Sequence, residues 1–186
     1  MQQEFIKVIY FWIIGFFLAI LEIQIEGEHG WAEKLPTWRA KSGSKLDKLF
    51  KKLASEKDLT GYHIVLMTFI LLFFHLPFIW SWQWNLLAEL ELLSIFILFA
   101  AVWDFLWFVL NPKFSLRVFN AEHVWWHKKW LWKFPVDYYA AIILCIAFLL
   151  PELIITGGLT FYKMIILLGL NLLLTMLTVI FYPKAF

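Results

Sequence analysis

The chain has 186 residues, 62% of them hydrophobic and 20% aromatic, with twelve tryptophans and a formal net charge of only +2. Soluble domains are roughly half apolar, so this composition excludes an ordinary water-soluble globule and points to lipid as the solvent. The single cysteine, Cys145, excludes an intrachain disulfide and reads as a small packing residue.

A helix needs about 20 apolar residues to cross a hydrocarbon core of roughly 30 Å. The first such run predicts a helix over about 5–27. Its apolar core is longer than that of a cleavable signal peptide and runs directly into Glu22-Ile23-Gln24-Ile25-Glu26, so it is expected to be retained. The stretch from Gly30 to Arg39, with Trp31, Pro36 and Trp38, reads as a structured turn. Ser44-Lys45-Leu46-Asp47 then resembles a capping box. Leu46, Leu49, Phe50 and Leu53 recur at helical spacing among Lys45, Lys48, Lys51 and Lys52. This predicts a basic amphipathic helix over about 44–57 lying on the membrane surface.

The second span is expected over about 61–82 and the third over about 86–110, the latter ended by Asn111-Pro112. Asn120 is a candidate N-cap for a second interfacial helix over about 120–132, carrying Trp125, Trp126, Trp130 and Trp132. Two further spans follow over about 136–153 and 160–182. The fold class is therefore an all-α integral membrane protein. A single transmembrane domain, 1–186, holds five transmembrane helices and two short cytoplasmic interfacial helices. Fourteen of the sixteen Lys and Arg fall between helices one and two, between three and four, or after helix five at Lys184. Cytoplasmic loops are enriched in such residues. The N-terminus is thus expected outside and the C-terminus inside, in a bacterial or archaeal inner or plasma membrane.

Glu22, Glu26 and His29 fall on one face at the cytoplasmic end of the first helix. Asp104 lies about 9 Å from the end of the third helix at 1.5 Å per residue, where an acidic group is costly unless partnered. His123 and His127 are four residues apart, the spacing that places two ligands on one helical face. The topology puts all six, with Asp137 as a seventh candidate, at one depth on the cytoplasmic side. Imidazoles with carboxylates suit iron or zinc, and Glu26-x-x-His29 matches an element of di-iron carboxylate bundles. His63, at the start of the second helix, is a reserve ligand. Asp137 is read as a helix-start residue, Glu89, Glu91 and Glu152 as solvated helix ends, and His75 as an interhelical hydrogen-bonder.

The expected function is a membrane-embedded metal-dependent enzyme acting on a lipid or other hydrophobic small molecule at the cytoplasmic face. In this reading Glu26, His29, Asp104, His123 and His127 hold one or two metal ions, iron in preference to zinc. Glu22 is a further ligand or the general base. Its chemistry is that of a non-haem iron oxidoreductase or, second, a zinc hydrolase. Membrane lipids and the apolar substrate are the expected partners, nucleic acid is not, and oligomerisation is left open. Two alternatives stand beside it. A transporter or proton-relay protein would use the same intramembrane acids. A structural or assembly subunit would pair them with lysines.

Overall fold

The computed structural model describes residues 2–53, 57–81 and 83–182. Trp82, Lys184 and residues 54–56 of the expected surface helix lie outside the described residues. Among the described residues, the α-helices in chain order are α1 (Gln2–Glu26), α2 (Lys45–Leu53), α3 (Gly61–Phe74), α4 (Leu76–Ser81), α5 (Leu86–Leu110), α6 (Val136–Thr156) and α7 (Gly158–Phe181). With α3 and α4 taken as one interrupted span, five helices are long and apolar enough to cross a membrane.

Helix α5 is the centre of the bundle. In its most apolar stretch 44% of the residues are buried, against 11–22% in the other spans, because α1, α3, α6 and α7 all pack on it. Helix α1 approaches through small residues. A Cβ at Gly15 would lie 3.3 Å from the Phe99 ring, and Ala19, one turn later, is fully buried. Lipid tails supply no hydrophobic drive between helices, so close contact of this kind carries the association. The buried stripe of α1 runs through Val8, Gly15, Ala19, Glu22, Ile23 and Glu26. The repeat that seats α1 on α5 therefore also turns two glutamates into the bundle.

Two polar clips fix the registers. Asn111 Nδ2 donates to the Gly27 carbonyl at 2.8 Å, holding the C-terminal ends of α5 and α1 together. Ser94 Oγ donates to the Cys145 carbonyl at 3.0 Å, joining α5 to α6. The start of α2 follows the expected capping pattern. Ser44 Oγ accepts from Asp47 N at 3.2 Å, and the Asp47 carboxylate accepts from Gly43 N at 2.8 Å. That backbone donor, with Lys51 at 3.0 Å, holds the Asp47 carboxyl below the usual carboxylate range.

Two expectations require correction. The second span is not one helix: α3 stops at Phe74, His75 is its C-cap, and α4 begins at Leu76. Pro77 has no N–H for the Phe73 carbonyl and its ring crowds that carbonyl, which breaks the ladder. The expected interfacial helix over 120–132 is not helical either. Asn120 Oδ1 accepts from Glu122 N and His123 N at 3.0 and 3.3 Å, closing an Asx-type turn instead of launching a helix. Val124 and Trp126 then pack into the core. The segment closes in a tight hairpin pairing Trp130–Leu131 with Phe134–Pro135, with Trp132 in the left-handed region at φ 54°. The aromatic side chains of Trp130 and Phe134 suit paired strands.

Candidate functional site

The C-terminal ends of α1 and α5, the N-terminal ends of α3 and α6, and the loops between them meet at one end of the bundle. Residues of α1, α3, α5 and the loops at Gly30, Trp31 and Trp126 line a partly open cavity of about 40 Å³, room for an ion or a few waters. Glu22 and Glu26 enter from α1, and His63 and Met67 from α3. Helix α5 supplies Ala100, Trp103, Asp104, Trp107 and Phe108, positions at i, i+3, i+4, i+7 and i+8 and therefore one face.

One carboxylate oxygen each from Glu22 and Glu26 and one ring nitrogen of His63 lie within 4.8 Å of one another. His63 Nε2 is 3.8 Å from Glu26 Oε1. That oxygen also accepts from Ala32 N at 2.5 Å, which fixes the Glu26 carboxylate. The His63 ring is fixed as well. Its Nδ1 lies 2.7 Å from Oγ1 of Thr60, the N-cap of α3, and its face stacks on the Trp31 indole at 3.9 Å and 16°. Glu22 is buried and accepts no hydrogen bond from another described residue. Two buried carboxylates this close repel, and a cation or a shared proton must offset that repulsion.

The turn over these groups is strained. Gly27 ends α1 at φ 68°, and Trp31 and Ala32 both sit in the left-handed region at φ 58° and 51°. Non-glycine residues persist there only when their surroundings over-determine them. Here Trp31 Nε1 donates to the Asp58 carbonyl at 2.8 Å. Arg39 donates to the carbonyls of Ala32 and Glu33. Gly30 lies so close to the Trp126 ring that a Cβ would collide with it.

Asp104 lines the same cavity, but its Oδ2 is already engaged. Tyr138 Oη donates to it at 2.5 Å and His127 Nε2 lies 3.1 Å away. His127 Nδ1 is 3.1 Å from Asp137 Oδ2, which Lys57 Nζ approaches at 3.2 Å. Burial pulls the His127 pKa down, but the Asp104 carboxylate, followed by Asp137, outweighs it and leaves the ring above its ordinary value. An ordered polar file thus runs from the cavity wall through His127 to Asp137 and Lys57.

Of the six residues expected to share a site, the structure brings Glu22, Glu26 and Asp104 to one cavity. His127 does not line it and backs Asp104 from behind. His29 lies outside because α1 ends at Glu26; it faces Lys34, Glu28 at 3.4 Å and Glu33 at 3.6 Å. His123 is exposed, its Nδ1 2.9 Å from Asn120 Oδ1. The imidazole at the cavity belongs to the reserve candidate, His63. The sequence signal for it is Thr60 three residues earlier, an N-cap that places position 63 in the first turn facing back toward the loop.

Two further residues carry no signal in the pattern of charges. Trp103 and Trp107 line the cavity and are 2% and 3% exposed. Neither indole N–H has a hydrogen-bond partner among the described residues, and the same holds for the Tyr62 hydroxyl beside His63. A buried donor without a partner costs about 1–3 kcal/mol.

At the far end of the bundle Glu91 and Glu152 are not solvated helix ends. Lys7 Nζ meets Glu4 at 3.2 Å and Glu91 at 2.7 Å, and Lys163 Nζ meets Glu91 at 3.0 Å and Glu152 at 2.6 Å. Glu89 pairs with His75 at 3.0 Å and accepts from Trp84 Nε1 at 2.9 Å.

Fold and site together define an all-α protein with five helices of membrane-spanning length around a carboxylate–imidazole cavity. The chain matches no protein-family model, no curated protein and no solved structure.

Proposed function

We propose that this is a membrane-embedded metal-dependent enzyme acting on a lipid or another apolar small molecule. The observation that carries this reading is the convergence of Glu22, Glu26 and His63 within 4.8 Å around this cavity. Two carboxylates and one imidazole, with no thiolate nearby, suit a divalent first-row ion, iron in preference to zinc. In the tautomer that donates Nδ1–H to Thr60, His63 Nε2 presents its lone pair as a ligand. Asp104, held by His127 and Tyr138, serves as an outer carboxylate, and Glu22, without a fixed partner, serves as ligand or base. The metal would supply Lewis acidity or oxygen activation. The apolar walls formed by Met67, Ala100 and Phe108 suit a hydrophobic substrate. The basic loops argue for a cytoplasmic placement of this end.

Metal analysis of protein purified without chelators tests the reading. About one ion per chain is expected, and it should be lost in Glu26→Gln and His63→Asn. Content below roughly a tenth of an ion in the unaltered protein would sink it.

A second reading, proton relay, is favoured by the file Asp104–His127–Asp137. Under that reading Asp104→Asn abolishes proton flux into liposomes, while metal content stays at background.

A further inference from the structure

Helix α2 lines no part of the cavity, and its pattern asks for a different partner. Its nine residues rise only about 14 Å at 1.5 Å each, too little to cross a bilayer. Yet Leu46 and Leu49, one turn apart and therefore on one face, are 50% and 55% exposed. On the spans such exposure meets hydrocarbon; on α2 it calls for another apolar surface. Lys45, Lys48 and Lys52 follow the same helical spacing beside that face, and all three are exposed. The nearby acids Asp47 and Asp58 are taken up by Lys51, and none of the three exposed lysines has an ion pair among the described residues.

Placement narrows the partner. Lys51 Nζ meets Asp58 at 3.0 Å, which straps α2 beside the start of α3, where a span of membrane-crossing length begins. Trp38, whose carbonyl anchors that start, is 55% exposed, and Trp132, just before α6, is 93% exposed. Tryptophans gather at the boundary between lipid and water. Helix α2 thus sits at the level of the headgroups, with apolar side chains outward and unpaired charges of one sign beside them.

We infer that α2 is a docking face for anionic phospholipid, with Leu46 and Leu49 in the interface and Lys45, Lys48 and Lys52 against headgroup phosphates. A second copy of the same basic face would be repelled. Docking needs the bilayer but no metal, so metal content and docking stand or fall separately. The strap through Asp58 also reaches the cavity: the Asp58 carbonyl accepts from Trp31 Nε1, and Trp31 stacks on His63.

A nitroxide on Leu49→Cys reports where the helix lies, because Cys145 is fully buried and stays unlabelled. The labelled full chain is placed in vesicles of phosphatidylcholine alone or of phosphatidylcholine mixed with phosphatidylglycerol. Oxygen reaches a nitroxide in lipid, whereas a nickel chelate reaches one in water. In the anionic vesicles the label should favour oxygen. The ratio of docked to undocked helix should be about 100-fold lower in the neutral vesicles, and about five-fold lower for each of Lys45→Gln, Lys48→Gln and Lys52→Gln in the anionic ones. If a lysine variant does not fold, the comparison of the two vesicles still decides. A label in water in both vesicles, equal docking in both, or spin–spin broadening between two labelled chains overturns the assignment.

Discussion

The two ends of the bundle handle buried charge in opposite ways. At the far end Lys7 and Lys163 stand between Glu4, Glu91 and Glu152, and each ion has an opposite partner within 3.2 Å. Only the second oxygen of Glu152 is left over among the described residues. At the cavity end Glu22 and Glu26 converge on His63, and neither pairs with a Lys or Arg among the described residues. Arg39 donates to the carbonyls of Ala32 and Glu33. The far end is a staple tying α1, α5, α6 and α7 together. At the cavity end Asp104 has His127, whereas Glu22 and Glu26 have no ion pair with Lys or Arg among the described residues, and the strained turn at Trp31 and Ala32 lies there too. Strain and unpaired polarity in one place mark a site shaped for a task other than stability.

The comparison breaks most readily at Lys163. Replacing it with Met strands Glu152 and leaves Glu91 with Lys7 alone, and should cost on the order of 3 kcal/mol in thermal unfolding in detergent, with metal content unchanged. If Lys163→Met unfolds no earlier, the far end is not a staple. Next in size, Glu22→Gln should lower metal affinity roughly 100-fold, about 2.7 kcal/mol, yet leave the metal-free protein as stable or slightly more so, since it relieves repulsion with Glu26. An equal loss of stability at both ends would erase the distinction.

Gly30→Ala should then displace the Trp126 ring, costing about 1–2 kcal/mol and reshaping the cavity without removing a polar group. Thermal unfolding and zinc titration together measure this.

The smallest effect concerns His127. Its pKa is raised in the folded state, so the stability it contributes is fully present below its unfolded value of about 6.5 and is lost as pH rises through the folded value. Thermal stability should therefore fall between neutral and alkaline pH, and His127→Gln should flatten that step. The same substitution should weaken metal binding about ten-fold by releasing Asp104.

Hydropathy made the spans legible because a helix in lipid must be long and apolar whatever its neighbours are. The termini of α5 appear where Asn111-Pro112 and the apolar run put them. Glu22, Glu26 and Asp104 were legible for the same reason, as expensive groups in apolar surroundings. What periodicity cannot see is where a helix stops being one. His29 shares a face with Glu26 only if α1 continues past Gly27, and the left-handed turn there ends it. His123 and His127 share a face only on a helix that Asn120 and the packing of Trp126 replace with turns. The unpartnered N–H groups of Trp103 and Trp107 were hidden because an indole in a membrane helix reads as apolar, and its unused hydrogen shows only once the neighbours are in place.

The interruption at His75 also has a mechanical meaning. The loop-facing end of α3 is clamped: Gly61 N donates to the Trp38 carbonyl at 2.7 Å and Tyr62 N to Thr37 Oγ1 at 2.8 Å. The second span is thus a beam fixed at one end and jointed in the middle. The break in the hydrogen-bond ladder before Pro77 separates α4 from the clamped end of the span, which carries His63.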